Sequence, residues 1–338
     1  VPATITGDAQ LKNVTAKFTG VAEPLRIASA HFTADKDHFN VIKATAAFTR
    51  MHSALEASAS WPQHCIPPQG NDQLDCAIQF TVSADQLDVD EINSLLNPKA
   101  QKRPWYAAIA NTVMGSNQAR FPDIYALGQI TAKKLEMKSV TASHFSSALT
   151  VRPIGFSLTD ITADLLGGKF QGEVHSDLTG DPAYTSRGTI QKFAMTNLAG
   201  AMKDDWASGT ATLNYRGQTK GWNSDDLLSS ATGEADFEWH DGALTHIAID
   251  NGKPLRFKAF AGKLDLRNGV LTVAESKMHA PGSIYLMSGT ASLGRRLELK
   301  LARDGVPAYS VTGTLERPTV SVVRSPATQA KLSSSQNR

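Results

Sequence analysis

No stretch of this sequence approaches the roughly 20 consecutive apolar residues that a membrane-spanning helix requires, and no charged, apolar, small-residue series opens it. Charge of one sign is lacking as well. Lys+Arg number 34 against Asp+Glu 32, a net of +2 with the signs interspersed, which excludes the basic footprint of a nucleic-acid binder. Catalytic motifs are missing too. Gly167-Gly168-Lys169-Phe170-Gln171-Gly172 has the outline of a phosphate loop but lies in an alternating stretch with no helix behind it. The nine histidines are scattered, without a helical pair flanking a Glu, and no Ser sits in a strand-to-helix Gly elbow. Asp85, Asp88, Asp90 and Glu91 lack the Gly and closing Glu of a calcium loop, and helix capping accounts for Asp90 and Glu91. Asp204-Asp205 and Asp225-Asp226 fall at predicted helix ends or turns, where solvated charge is the ordinary finding. The chain therefore reads as non-enzymatic, with no cofactor and no metal.

Cysteine is scarce. The two present, Cys65 and Cys76, flank the turn-rich stretch Ile66-Pro67-Pro68-Gln69-Gly70-Asn71-Asp72 and are placed to bond to each other. Closing so short a loop would remove about 3 kcal/mol of unfolded-state entropy, a gain open only to a protein of an oxidising compartment. The alternative is a pair of free thiols in a loop. His64 beside Cys65 lacks the two further ligands a metal would need.

What is present is ordinary foldable composition, 41% hydrophobic and 20% charged, spread over 338 residues, too long for one small compact domain. Period-2 alternation dominates, with apolar side chains on one face and Thr, Ser, Lys, Asp or Gln on the other. Phe170, Val174 and Leu178 keep one parity, as do Ala211, Leu213 and Tyr215, and then Phe237 and Trp239. Leu264 and Leu266 follow, then Leu297, Leu299 and Leu301, with Leu149 and Val151 earlier in the chain. Gly167-Gly168, Gly180-Asp181-Pro182, Asp241-Gly242, Asn268-Gly269 and Asp304-Gly305 separate such runs, predicting antiparallel hairpins and meanders without parallel crossovers. Short helices are predicted after Asp90 as cap, from Pro104 to Gly115, near Leu198 to Met202 and at Ser224 to Ser229. Three regions result: an N-terminal β module over 1–127 with a helical insert at about 90–116, a β region over 128–324, and a disordered polar tail over 325–338. The chain opens in mid-pattern at Val1-Pro2-Ala3-Thr4-Ile5 and is expected to be a fragment of a longer polypeptide.

Several segments, in order, resemble the AsmA family of cell-envelope proteins. They include Gly7-Asp8-Ala9-Gln10-Leu11 followed by Ala22-Glu23-Pro24-Leu25, then Leu87-Asp88-Val89-Asp90 closing a strand and opening a helix. Leu127-Gly128-Gln129-Ile130, Asp164-Leu165-Leu166-Gly167-Gly168-Lys169-Phe170-Gln171-Gly172 and Thr232-Gly233-Glu234-Ala235-Asp236-Phe237 continue the series, which ends in Ser310-Val311-Thr312-Gly313-Thr314-Leu315. The resemblance implies a periplasmic protein held in the inner membrane by an N-terminal helix absent from this chain. It also implies a part in phospholipid transport or outer-membrane biogenesis.

The expected fold is mainly β: an elongated, curved antiparallel sheet, taco-like around a groove, with a few short amphipathic helices. An apolar groove lined by the fifteen residues named above from Leu149 to Leu301 would shield acyl chains, at about 0.8 kcal/mol per methylene, while headgroups stay in water. About 14 strands at about 4.8 Å would carry it about 65 Å. The partners expected are phospholipid or another envelope lipid, and envelope proteins docking on open sheet edges, with no nucleic acid. The alternative is a structural or partner-binding scaffold whose apolar face is its own closed core.

Overall fold

The computed structural model describes residues 4–17, 23–64, 76–96, 125–221, 224–249, 252–292 and 294–323. Alternation produces strands almost throughout, and the mainly β, chiefly antiparallel class expected from sequence is the class observed. Among the described residues there are 18 strands, all members of one hydrogen-bonded sheet, and three short helices. None of these helices is long and apolar enough to cross a membrane. The contacts group the chain into two compact units. The first holds residues up to Leu165 with Phe170–Arg187 and Thr219–Leu227, and the second holds Leu166–Lys169, Gly188–Gln218 and the chain from Leu228 onward.

The first unit begins with β1 (Gly7–Ala16), β2 (Leu25–Ala34), β3 (His38–Ala47), β4 (Leu55–Pro62) and β5 (Ile78–Asp88), each antiparallel to the one before. Helix α1 (Val89–Leu96) follows at once. Its cap is Asp88 and not Asp90: the Asp88 carboxylate accepts the N–H groups of Asp90 and Glu91 at 2.8 and 3.0 Å, leaving those two acids in the first turn beside the positive helix end. The next strand, β6 (Ala126–Met137), pairs with β5 in parallel, contrary to the expectation of antiparallel steps alone. The chain from Val89 to Tyr125 is long enough for the crossover a parallel pair needs. Antiparallel pairing resumes with β7 (Val140–Arg152) and β8 (Gly155–Leu165). The expected division at residue 127 falls inside β6, while the helix expected at 104–115 and the tail at 325–338 lie outside the described residues.

After β9 (Gly168–Asp177) and β10 (Ala183–Ala194), which pair with each other, comes α2 (Met195–Ala201). Then follow β11 (Ala207–Lys220), α3 (Ser224–Ser230), β12 (Thr232–Ile249), β13 (Lys253–Arg267) and β14 (Val270–Ala280). The chain ends in β15 (Ser283–Ser292), β16 (Arg296–Arg303), β17 (Val306–Thr314) and β18 (Pro318–Val322). From β12 onward every strand is antiparallel to its predecessor. Asn268-Gly269 and Asp304-Gly305 are two-residue hairpin turns with positive φ at both positions, as such tight loops require. Asp241-Gly242 is not a turn. It lies inside β12, where Asp241 at φ 47° forms a kink that the strand continues through.

Among the described residues two serines are the buried polar side chains, and both sit at irregular pairings. Ser147, 1% exposed, donates to the Thr159 carbonyl at 2.9 Å where β7 and β8 shift register. Ser276 donates to the Met287 carbonyl and accepts the Met287 N–H at 3.1 Å where β14 and β15 shift. Each hydroxyl bonds backbone groups beside a register shift. Ser276→Ala is therefore expected to cost about 1–3 kcal/mol in urea unfolding, because it strands buried polar groups, whereas Ser321→Ala on the exposed rim should stay within about 0.5 kcal/mol.

Candidate functional site

Directly paired residues of neighbouring strands share a face, so the register alone assembles the apolar surface of the first unit. One row runs Ala9, Phe32, Val41, Ala59, Phe80, Gly128, Leu149 and Leu158 from β1 to β8. Beside it lie Leu11, Ala30, Ala44, Ala57, Val82 and Ile130. Along another edge Phe39 stacks on Trp61 with ring centroids 5.8 Å apart, and Val151 pairs with Phe156. Most of these side chains are half-buried. Toward the far end of the strands the same face becomes a closed cluster of Ala84, Leu87, Ala132, Ala142, Phe145, Ile161 and Ala163, against which Ile92 of α1 packs. Phe170 and Val174 lean on that cluster, and Leu178 is buried. Helix α1 thus covers one end of the face and leaves the Phe80 end half open.

The apolar face of the second unit behaves differently. Residues of β18 lie against β12, so this part of the sheet curls until its apolar side turns inward. Ala211, Trp239, Phe260, Met278 and Tyr285 form one cross-strand row, and Met287, Leu301 and Tyr309 another. Trp239 is the hub: its ring meets Phe257 edge-on at 4.9 Å and Trp206 at 6.3 Å, and its indole N–H donates to the Ser208 carbonyl at 2.8 Å. Met278 and Val311 are 0% exposed and Leu301 is 1% exposed. Ala211, Trp239, Leu297, Leu299 and Leu301 therefore line no open surface here, because the curl has filled the space before them with side chains. Leu213, Tyr215, Phe237, Leu264 and Leu266 are half-buried, with Leu213 and Phe237 packed against the same core.

Of the predicted lining residues, Leu149 and Val151 lie at the half-open end of this face, and Phe170 and Val174 are half-buried against its closed cluster. Phe32, Val41, Phe80 and Val82 join the first two there. Their alternation in Phe39-Asn40-Val41 and Phe80-Thr81-Val82 was the available signal.

The opposite, polar face of the first unit carries a cleft of about 680 Å³ beside Thr45, Glu56, Ser83, Asp85, Lys133 and His144. Its charges are ion-paired and exposed: Lys133 contacts Asp85 at 2.7 Å, and the hydrogen bond it donates to that carboxylate raises the lysine pKa. Lys43 lies 3.7 Å from Glu56, and Asp164 holds His144 at 2.9 Å. Such solvated pairs contribute little energy and bring no group into a shielded position. Asp85, Asp88 and Glu91 are engaged separately, with Lys133, the α1 cap and His52. The turn between β8 and β9 is Leu166-Gly167, with positive φ at both, and Gly168 opens β9, so strands lie on both sides. Cys76 is not a free thiol, while its expected partner Cys65 lies outside the described residues.

In the second unit His246 of β12 faces Asp204 and Asp205, which follow α2. Its Nδ1–H donates to the Leu315 carbonyl at 2.9 Å, and this bond raises its pKa against the opposing effect of burial, with the two carboxylates adding to the rise.

Protein-family models, curated proteins and solved structures contain no match to the chain. The likeness to the AsmA family accordingly rests on the segments quoted above.

Gly128 is what lets Phe80 lie flat in the half-open rows: a Cβ there would collide with the Phe80 carbonyl oxygen and stand 2.6 Å from its ring. Gly128→Ala is expected to lower stability by about 1–3 kcal/mol and to change the environment of Phe80, measured by thermal unfolding and by aromatic NMR shifts.

Proposed function

We propose that this is a non-enzymatic protein of the AsmA type, working in the periplasm, that shields phospholipid acyl chains on the half-open apolar face of its first unit during transport between membranes or outer-membrane biogenesis. The observation that carries the reading is the contrast between the two faces. One is sealed with its own side chains, and the other offers half-buried Phe32, Val41, Phe80, Val82, Ile130 and Leu149 in unbroken cross-strand rows. From β2 to β8 the row through Phe32, Phe80 and Leu149 crosses six strand spacings, about 29 Å, close to the roughly 30 Å hydrocarbon thickness of a bilayer. An acyl chain loses on the order of 10 kcal/mol in passing through water, and lying on such a face offsets much of that cost. Envelope proteins docking on sheet edges and an inner-membrane anchor in the full-length protein complete the reading.

The second reading is a scaffold with a closed β core, which the sealed face of the second unit favours. Mass spectrometry of solvent extracts separates the two. Co-purifying phospholipid and uptake of labelled lipid are expected, and a protein that neither carries nor takes up lipid would leave only the scaffold. Phe80→Glu and Val41→Glu are expected to fold and to lose lipid uptake several-fold. Normal uptake by both folded variants would sink the assignment of this face.

The compartment rests on a separate measurement. We expect a Cys65–Cys76 disulfide, so titration of the unreduced, denatured protein should find no reactive thiol. Two reactive thiols would remove the argument for an oxidising environment.

A further inference from the structure

We propose that Asp204, Asp205 and His246 form a binding site for a divalent transition-metal ion of the Zn²⁺ class. The three side chains come from two distant stretches of the second unit and are brought together by backbone bonds. Thr245 donates its N–H to the Trp206 carbonyl at 3.0 Å and its hydroxyl to the Asp205 carbonyl at 2.6 Å, and the Asp204 N–H donates to the Ala199 carbonyl at 3.0 Å. The irregular pairing of β12 and β13 between Leu244 and Ala248 turns His246 toward the two acids.

The tautomer is set by Leu315. A carbonyl only accepts, so the Nδ1 that lies 2.9 Å from it carries a proton, and Nε2 is the atom presented to the carboxylates. This is the arrangement of a metal-binding histidine, whose second nitrogen is held by a backbone carbonyl. Nε2 lies 3.0 Å from Asp205 Oδ1 and 3.6 Å from Asp204 Oδ1. Those separations bracket the about 3.3 Å expected between ligand atoms bound at about 2.0–2.1 Å to a tetrahedral ion.

Independent support comes from the other oxygen of Asp204. The side chain is only 10% exposed, and its Oδ2 is buried without a hydrogen-bond partner among the described residues. A proton on Nε2 serves Asp205 and leaves that oxygen unserved, at the full cost of a buried unpaired carboxylate atom. A cation seated among the three groups engages both carboxylates. One imidazole with two carboxylates suits Zn²⁺, Co²⁺ or Mn²⁺ better than the all-oxygen ions Ca²⁺ and Mg²⁺. Asp205, 93% exposed, leaves the site open to water for entry and for the remaining coordination position. Bound there, the ion would clasp the segment after α2 to β12 and to the chain following β17.

The test is calorimetric titration of the metal-stripped chain with Zn²⁺, repeated with Co²⁺. One ion per chain is expected, with a raised thermal midpoint, and with affinity at least about tenfold weaker in His246→Gln and in Asp204→Asn. No saturable binding, or binding of equal strength in both folded variants, would overturn the site and place any ion elsewhere. Should a variant not fold, NMR of the wild-type imidazoles decides. Zn²⁺ must shift the His246 ring signals before those of the other histidines, and an unmoved His246 refutes the proposal.

Discussion

One constraint governs this chain: side chains two residues apart must stay on the same side of the sheet while strand after strand is added. A slip of one residue would send a whole apolar set to the solvent face. The structure meets the constraint even where extra residues intrude. In β12 the residues facing the aromatic cluster are odd up to Trp239 and then Gly242 and Leu244, and the left-handed Asp241 makes the change. Opposite it, β13 passes from Leu255 and Phe257 to Phe260, Leu264 and Leu266. Phe257 and Phe260 consequently meet at 5.6 Å on one face despite their sequence spacing. Ser147 and Ser276 perform the matching service for the backbone, bonding carbonyls of the neighbouring strand beside each register shift.

Much of the fold was legible because alternation and turn chemistry are local. Asn268-Gly269 and Asp304-Gly305 declare themselves by residue type, and the helices at Met195–Ala201 and Ser224–Ser230 by theirs. The errors arose where local signals compete. Asp241-Gly242 has turn composition but sits within a strand, because Phe257 and Trp239 pack closely over Gly242. Asp88 ends a strand and caps a helix at once, whereas the sequence reading places the cap at Asp90, two residues later. The parallel step from β5 to β6 was hidden because it depends on where the chain goes between them, which alternation does not encode.

The site was less legible than the fold. Single-faced strands were visible, but whether a face stays open depends on how far the sheet curls, a property of twist and bulges summed over many strands. Leu301 and Leu149 look alike in sequence, yet one is sealed in the core and the other half-buried. His246 and Asp205 lie 41 residues apart, and neither neighbourhood carries a spacing that announces the other. The Thr245 bonds to the Asp205–Trp206 backbone bring them together.

The parallel pair of β5 and β6 also bears on how the chain reaches this state. Most neighbouring strands are joined by short connections and can zip within microseconds of meeting. These two are separated by the chain from Val89 to Tyr125, whose ends must meet before any of their hydrogen bonds form, so loop-closure entropy is spent in advance of reward. The hairpins on either side need no such closure, so contact-order reasoning makes the joint between them the slow step expected in the first unit's assembly.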